Sequence, residues 1–373
     1  MSDRAGKIEI RARVELDDAD DLAVHYTPGV AEAAKRIAAE PSRSRTETVK
    51  GNAVAIVSDG SALLGLGDQG PAAALPVMEG KAALFSRFAD IDAWPICIAS
   101  REPDDVVRTV RDLATSFGAI NLEDVAAPRC FEIERRLREE LDIPVFHDDQ
   151  HGTAMVVLAA LHNALALTGR DAARTRVVIA GAGAAGSATA RLLLAAGYTE
   201  AGIVVCDSKG ALHPGRQLDG EKAWLAEHTN SDRAEGSLVE VLDGADVFIG
   251  VSAPDLLAPE DLSRMADRPV VFALANPDPE VDPRGAQEHA AVLATGRSDL
   301  PNQINNVLVF PGVLRGLLDA GADTLTVDMQ LAGARAIAEL VGDDRSPEHI
   351  VPSVFDERLV PALAGAVCDA AGR

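Results

Sequence analysis

The chain has 373 residues, 47% of them apolar and 25% charged, proportions that exclude a disordered chain and suit about two globular domains. Its net charge of −23 excludes nucleic acid and anionic membrane surfaces as partners, since both would repel it. There are 6 lysines against 29 arginines and 35 aspartates against 23 glutamates, a bias that suits a high-salt cytoplasm and a GC-rich genome equally well.

Cys97, Cys130, Cys206 and Cys368 are scattered with no CxxC pair, so neither a zinc site nor a disulfide framework is indicated. Three of them lie in apolar runs suited to buried thiols. The opening residues MSDRAGKIEIRARVELDD hold no apolar signal-peptide core, and no apolar stretch reaches membrane-spanning length. The expected compartment is therefore the cytoplasm.

In chain order, residues 1–22 read as a polar, acidic arm. After Tyr26-Thr27-Pro28-Gly29 a helix is expected to about Glu40, with Val30, Ala33, Ala34, Ile37 and Ala38 on one face and Pro41 as its stop. Strand-like runs follow at Asn52–Ser58, Trp94–Ala99, Ala119–Leu122 and Ile143–Phe146, separated by helical stretches near 71–89, 104–117 and 127–141. Short apolar runs separated by helices predict a parallel sheet. A helix from about Thr153 to Leu167, ended by Gly169, leads into a second alternating set, with strands at Val177–Ala180, Ile203–Cys206, Val247–Gly250, Val270–Ala273 and Val292–Thr295. From Pro311 onward the pattern is mainly helical. The fold class expected is α/β in two domains: a Rossmann-type doubly wound parallel sheet (151–305) inserted in a substrate- and metal-binding α/β domain (1–150 completed by 306–373).

Residues 177–186 read Val-Val-Ile-Ala-Gly-Ala-Gly-Ala-Ala-Gly, a strand entering Gly181-x-Gly183-x-x-Gly186 and an alanine-rich helix leaving it. The first glycine permits the tight turn, the second lets the backbone approach a pyrophosphate, and the third lets helix and strand pack closely. Gly181, Ala182, Gly183, Ala184, Ala185 and Gly186 are thus candidate dinucleotide-binding residues, with phosphate at the helix N-terminus. The pattern alone is weak, but Asp207 ends the next strand about 20 residues on, where an acid can hold the adenine ribose hydroxyls. That carboxylate favours NAD and repels the 2′-phosphate of NADP, while Lys209 two residues later pulls the other way. NAD is the expected cofactor, with NADP as the alternative.

Glu123-Asp124 and Asp148-Asp149 each follow a strand, and parallel α/β sheets place their sites at the carboxyl ends of strands. Acids converging there repel one another, and a hard divalent cation relieves that; all-oxygen ligation selects Mg²⁺ or Mn²⁺. The plainer reading is a set of exposed acids and helix caps in an acidic protein. Lys81, among small and apolar neighbours, has the setting of a buried lysine with a lowered pKa, fit to act as a base, although a lone helix lysine is usually a surface residue. Tyr26 is a candidate general acid or a packing aromatic. His25, His147, His151 and His162 fit no common histidine metal spacing and are left with hydrogen-bonding roles.

Together the stretches HYTPGVAEA (25–33), SDGSALLGLGDQGPAAALPVMEGKAALF (58–85), INLEDVAAPRCFEIE (120–134), FHDDQHGTA (146–154), the glycine loop, ALANPDPE (273–280) and NQINNVLVFPG (302–312) resemble the malic enzyme family in its short bacterial and archaeal form. The resemblance implies oxidative decarboxylation of L-malate to pyruvate and CO₂, with NAD(P) and a divalent metal. It implies Tyr26 as proton donor, Lys81 as general base and Asp148 as the acid beside that lysine. Glu123, Asp124 and Asp149 become the metal ligands, and Asn276 and Asn306 the residues contacting nicotinamide and substrate. It also implies a homodimer or higher oligomer. One departure stands out: where larger relatives carry an arginine that grips a malate carboxylate, this chain has Ala62. The competing readings are another metal-dependent hydroxyacid oxidoreductase, an amino-acid dehydrogenase, which needs no metal, and a non-catalytic nucleotide-binding regulator.

Overall fold

The structure is a computed structural model that describes residues 5–372. Residues 5–18 form an arm tied to the first lobe at few points: Arg13 pairs with Asp92 at 2.8 Å, and the Lys7 ammonium donates to the Pro76 carbonyl at 2.9 Å. Two helices follow, α1 (Ala19–His25) and α2 (Val30–Ala39). The Asp18 side chain caps α1 by accepting from the Asp20 and Asp21 N–H groups. Neither helix buries a residue.

The first sheet is parallel throughout, in the order β2-β1-β3-β4, with β1 Ala53–Ser58, β2 Asp92–Cys97, β3 Ala119–Leu122 and β4 Val145–His147. All six residues of β1 are buried, as expected of a strand covered on both faces. On one face lies α3 (Pro71–Ala89), which buries Ala74, Met78, Lys81, Ala82 and Phe85 along one stripe. On the other lie α4 (Pro103–Leu113) and α5 (Arg129–Glu140), whose Val106, Val110, Ile133 and Leu137 pack with Ala55, Val57 and Ile120 of the sheet.

The second sheet has the order β10-β9-β8-β5-β6-β7, with β5 Val177–Ala180, β6 Ile203–Asp207, β7 Gly210–Ala211, β8 Val247–Gly250, β9 Val270–Ala273 and β10 Val292–Thr295. All pairs are parallel except the short edge strand β7, which runs antiparallel to β6. The strand order reverses at β5, and the loops after β5 and β8 flank that switch point, where open α/β sheets receive ligands. The helices of this lobe are α7 (Ala184–Ala195) and α8 (Gly220–His228).

Between the lobes runs α6 (Thr153–Thr168), preceded by one π-helical turn, Asp148–Gly152. The span 148–168 is long and apolar enough to cross a bilayer, contrary to the reading of the sequence, but it is a core helix: 61% of its apolar window is buried in the fold. Three helices close the structure, α9 (Phe310–Ala320), α10 (Val327–Glu339) and α11 (Leu359–Ala370). They pack on α3 and α6, and Phe310 meets Phe85 with ring centroids 4.8 Å apart. Of the cysteines, Cys130 and Cys206 are buried, while Cys97 and Cys368 are half-buried.

Candidate active site

The ends of β3 and β4 carry the acids. Because the two strands are adjacent and in register, Leu122 opposite His147, the residues that follow them emerge side by side despite lying 25 positions apart in sequence. Glu123, Asp124 and Asp149 each offer an oxygen, and the three lie within 4.8 Å of one another. The Asp124 N–H donates to Asp149 Oδ2 at 3.0 Å. Asp124 itself sits at φ 53°, a left-handed conformation costly for a residue with a Cβ and typical of functional sites. His147 Nε2 lies 3.2 Å from Asp149 Oδ2, and the Gln150 amide lies 2.7 Å from the other ring nitrogen, so the histidine supports the cluster from behind.

Lys81 is buried in the middle of α3 and reaches the same cluster. Its ammonium donates to Glu123 Oε2 at 2.5 Å and to Asp148 Oδ2, and lies 4.2 Å from the centre of the Phe310 ring. Burial alone would lower its pKa, as the sequence suggested, but the charges of Asp148 and Glu123 outweigh it and the pKa is raised. That expectation is thereby overturned: in this arrangement Lys81 is an ammonium held by two carboxylates. The Asn306 amide donates to Asp148 Oδ2 at 3.3 Å and is itself met by the Thr153 hydroxyl at 3.2 Å. A Cβ on Gly152 would fall 2.0 Å from Asp148 Oδ1, so only glycine leaves room for this carboxylate.

The donor set fits a divalent cation. Asp124 Oδ2 is buried and has no hydrogen-bond partner among the described residues. Burial, then the neighbouring Asp149 charge, push the Asp124 carboxyl up to about 7. Burial likewise raises Glu123, only partly opposed by Lys81. Burial also works against ionisation of Asp149, but the hydrogen bond and charge of His147 prevail and lower its pKa. Three carboxylates and no sulfur or imidazole donor select Mg²⁺ or Mn²⁺ over zinc.

The glycine loop behaves as its spacing predicts. Gly181 has φ +124°, and a Cβ there would meet the Val251 carbonyl at 2.6 Å; at Gly186 it would fall 1.8 Å from the Gly181 carbonyl. Gly183 has nothing within 4 Å of that position, which leaves open the approach to the N-terminus of α7. There Ala184, Ala185 and Gly186 occupy the first turn, whose N–H groups lack intrahelical acceptors and suit a pyrophosphate. Because α7 also packs on the turn Asp148–Gly152, the phosphate cradle and the acid–lysine cluster are neighbours.

Asn276 is exposed in the loop after β9: a Cβ on Gly65 would lie 2.2 Å from its carbonyl, and one on Gly296 2.9 Å from its amide nitrogen. Its position depends on Glu280, to which sequence reasoning gave no role. The fully buried Glu280 carboxylate accepts from the Ser252 and Ala275 N–H groups, each at 3.0 Å, and so clamps the loops after β8 and β9. Glu280→Gln replaces one acceptor oxygen by a donor and strands one of these N–H groups, at a cost of about 1–3 kcal/mol. Denaturant unfolding checks this, and a variant as stable as the parent would remove the clamp.

Two predicted residues stand differently. Tyr26, at the end of α1, is 63% exposed and its hydroxyl has no hydrogen-bond partner among the described residues, so the single chain does not join it to Lys81. Asp207 does end β6, but its carboxylate is already engaged: Arg216 donates to both oxygens at 2.9 Å and Lys222 to Oδ2 at 2.8 Å. Burial opposes its ionisation, yet these bonds hold its pKa below the usual value. Neither cation was identifiable as a partner from spacing, because they lie 9 and 15 residues on, in a loop and the next helix.

A dinucleotide cradle packed against a buried lysine and a hard-metal acid triad defines a metal-assisted dehydrogenase. Family comparison makes this specific. Residues 5–103 match the model of the malic enzyme N-terminal domain and residues 150–371 that of the malic enzyme NAD-binding domain. The NAD-dependent malic enzyme of Geobacillus stearothermophilus is 52% identical over 371 residues, covering 99% of this chain and 77% of that protein. The NADP-dependent malic enzyme of Rhizobium meliloti is 46% identical over 99% of this chain, which spans 50% of it. The crystal structure of the NAD-dependent malic enzyme from Thermotoga maritima superposes with a TM-score of 0.93 at 47% identity, covering 97% of this chain and 96% of that one. The chain belongs to the malic enzyme family.

Proposed function

We propose that this protein oxidises and decarboxylates L-malate to pyruvate and CO₂ with reduction of NAD(P)⁺. The observation that carries this reading is the convergence of Lys81 with Glu123 and Asp148 beside the orphaned Asp124 oxygen. Glu123, Asp124 and Asp149 would hold the divalent cation, which would supply Lewis-acid stabilisation of negative charge at the malate C2 oxygen. The loop 181–186 and the α7 N-terminus would hold the dinucleotide, which would supply the hydride acceptor, and Asn276 would contact its nicotinamide side. Lys81 exchanges the proton of the C2 hydroxyl, with Asp148 as its positioning partner and Asn306 orienting Asp148 and the substrate. Glu123 belongs to both groups: a cation held by the triad would draw on the same carboxylate that pairs with Lys81 and would make the ammonium yield its proton more readily.

Tyr26 is the donor that protonates C3 of enolpyruvate. Leu22, Val24, Tyr26 and Val30 are all exposed on the arm helices, a surface that supports a homodimer formed through this region. Tyr26→Phe is expected to slow enolpyruvate protonation by on the order of 10²-fold while sparing malate oxidation. Supplying oxaloacetate and following its decarboxylation separates the half-reactions; normal behaviour in both would make the tyrosine structural. Two further readings follow from the family and the fold. The substrate lobe comprises 1–150 and 306–373 around an inserted nucleotide lobe, and an enzyme acting on soluble metabolites suits the cytoplasm.

The direct test supplies malate, NAD⁺ or NADP⁺ and Mn²⁺ and follows reduced cofactor and pyruvate together. Cofactor reduction without pyruvate would indicate a plain hydroxyacid dehydrogenase, and the absence of both would sink the reading.

A further inference from the structure

We propose that Glu134 is a positioning residue for Asp149, acting through Gln150 to hold His147 in its Nε2–H tautomer. The proposal rests on the reading of Glu123, Asp124 and Asp149 as cation ligands and asks what keeps one of them in place. Glu134 lies on α5, in a buried stripe otherwise made of Cys130, Ile133 and Leu137. A leucine would serve that packing without the cost of burying a carboxylate, so the charge at this position needs another reason.

The directions of the hydrogen bonds supply that reason. A carboxylate can only accept, so the Gln150 side chain must turn its amide nitrogen to Glu134 Oε2, 2.6 Å away. The same nitrogen lies 2.7 Å from His147 Nδ1. Its two hydrogens are spent one on each partner, and Nδ1 must therefore offer a lone pair. The ring proton is left on Nε2, which donates to Asp149 Oδ2 at 3.2 Å. That oxygen also accepts the Asp124 N–H at 3.0 Å, and two donors on one oxygen fix the rotation of the carboxylate. Glu134, Gln150 and His147 are 6%, 7% and 0% exposed, so water competes poorly for these bonds.

The far end of this chain of bonds is anchored too. Glu134 Oε1 is met by His151 Nε2, and the Arg138 guanidinium stands 3.8 Å from the same oxygen. Without Glu134 the Gln150 amide is free to rotate, present its oxygen to Nδ1 and draw the ring proton there. Nε2 would then turn a lone pair on Asp149 Oδ2, and a hydrogen bond would give way to repulsion between two acceptors. The ring carries one proton in either form; Glu134 selects only its place. Through two intermediates, a residue that touches none of the three ligands thus holds one of them in orientation.

The test reads the tautomer and the metal separately. Nitrogen-15 spectra of the histidine rings in the metal-free protein, at about pH 8.5 where imidazole is neutral, show which ring nitrogen carries the proton. The chain has 8 histidines, and the His147 signals are those missing from His147→Ala. The parent should show His147 as Nε2–H, and Glu134→Leu should move it toward Nδ1–H. Calorimetric titration with Mn²⁺ should show Glu134→Leu binding on the order of tenfold more weakly than the parent. In the His147→Ala background the same substitution should cost less than about twofold, because the two residues act in series. Glu134→Gln should stay within about threefold of the parent, since its carbonyl oxygen can still accept from Gln150 while the ion pair with Arg138 is gone. Should Glu134→Leu fail to fold, Gln150→Leu breaks the same chain of bonds one step nearer and should reproduce both changes. An unchanged tautomer, equal losses of Mn²⁺ affinity in both backgrounds, or a Glu134→Gln protein as impaired as Glu134→Leu would overturn the proposal and leave Glu134 a structural partner of His151 and Arg138. A parent that bound no Mn²⁺ would remove the metal reading instead, while the ring spectra would still decide whether Glu134 sets the tautomer.

Discussion

Lys81→Ala is expected to reduce malate oxidation by on the order of 10³-fold, the scale of a lost general base. Substrate affinity should change far less, because the role proposed for the lysine is at the hydroxyl proton rather than at a carboxylate. The same substitution strips a buried cation from Glu123 and Asp148, and breaking a buried pair costs about 3–5 kcal/mol. Activity and stability would therefore fall together, and Lys81→Arg separates them. A guanidinium keeps the positive charge beside the two carboxylates but does not deprotonate in proteins, so it should retain most of the stability and none of the base function. The stability loss of Lys81→Ala has a definite pH dependence. Glu123 is already held above its ordinary value by burial and loses its opposing cation. A carboxyl raised in the folded state binds a proton more readily there than in the unfolded chain, so the variant should regain stability as pH falls from neutral toward about 5. Rates measured with malate, and unfolding midpoints at two pH values, check both halves. A Lys81→Arg protein working within tenfold of the parent would remove Lys81 from the role of base.

The parallel strands were legible almost to the residue, for a physical reason. A strand buried on both faces must be a continuous apolar run, and glycines and polar residues close it sharply, as at Val177–Ala180, Val247–Gly250 and Val270–Ala273. Errors fell where proline intervened. The expected strand Ile143–Phe146 begins instead at Val145, after Pro144, which has no N–H to give the ladder. The strand β2 does contain Pro95, and tolerates it because β2 is an edge of its sheet. At the site, the acids after β3 and β4 were legible because each marks a strand end, and adjacency of the strands did the rest. The sign of the Lys81 shift was not legible. Burial could be inferred from small and apolar neighbours, but the two carboxylates that reverse its effect lie 42 and 67 positions away. The same holds at Asp207, whose hydrogen-bonding capacity is spent on a loop arginine and a helix lysine that no local pattern pairs with it. Charge pairs of this kind are tertiary facts: spacing shows which groups are present, and only the fold shows which of them face each other.

Asp149→Ala is expected to abolish turnover and to weaken Mn²⁺ binding by on the order of 100-fold or more, because removing a ligand should cost at least as much as removing its outer-shell support. The fold should survive, since Asp149 stands at the lip of the crevice and its loss relieves repulsion on Asp124. His147→Ala, which removes only the imidazole behind Asp149, should weaken Mn²⁺ about 10–100-fold with the triad intact. Binding should also depend on pH in a way set by Asp124, whose carboxyl rises from 3.8 to about 7. Mn²⁺ must displace that proton, so affinity should fall by about tenfold per unit as pH drops below 7 and level off above it. Stability of the metal-free protein runs the opposite way. With its folded pKa above its unfolded one, Asp124 gives the folded state extra bound proton between about pH 4 and 7, so stability declines as pH rises through that window. Saturating Mn²⁺ should remove the decline, and chelator should restore it. Calorimetric titration of Mn²⁺ at pH 6 and 8, paired with denaturant unfolding with and without the metal, reads each expectation separately. An Asp149→Ala protein that bound Mn²⁺ like the parent, or full activity after exhaustive chelation, would dismantle the triad. If binding were equally tight at both pH values, the triad would stand but Asp124 would not be the group whose proton the metal displaces.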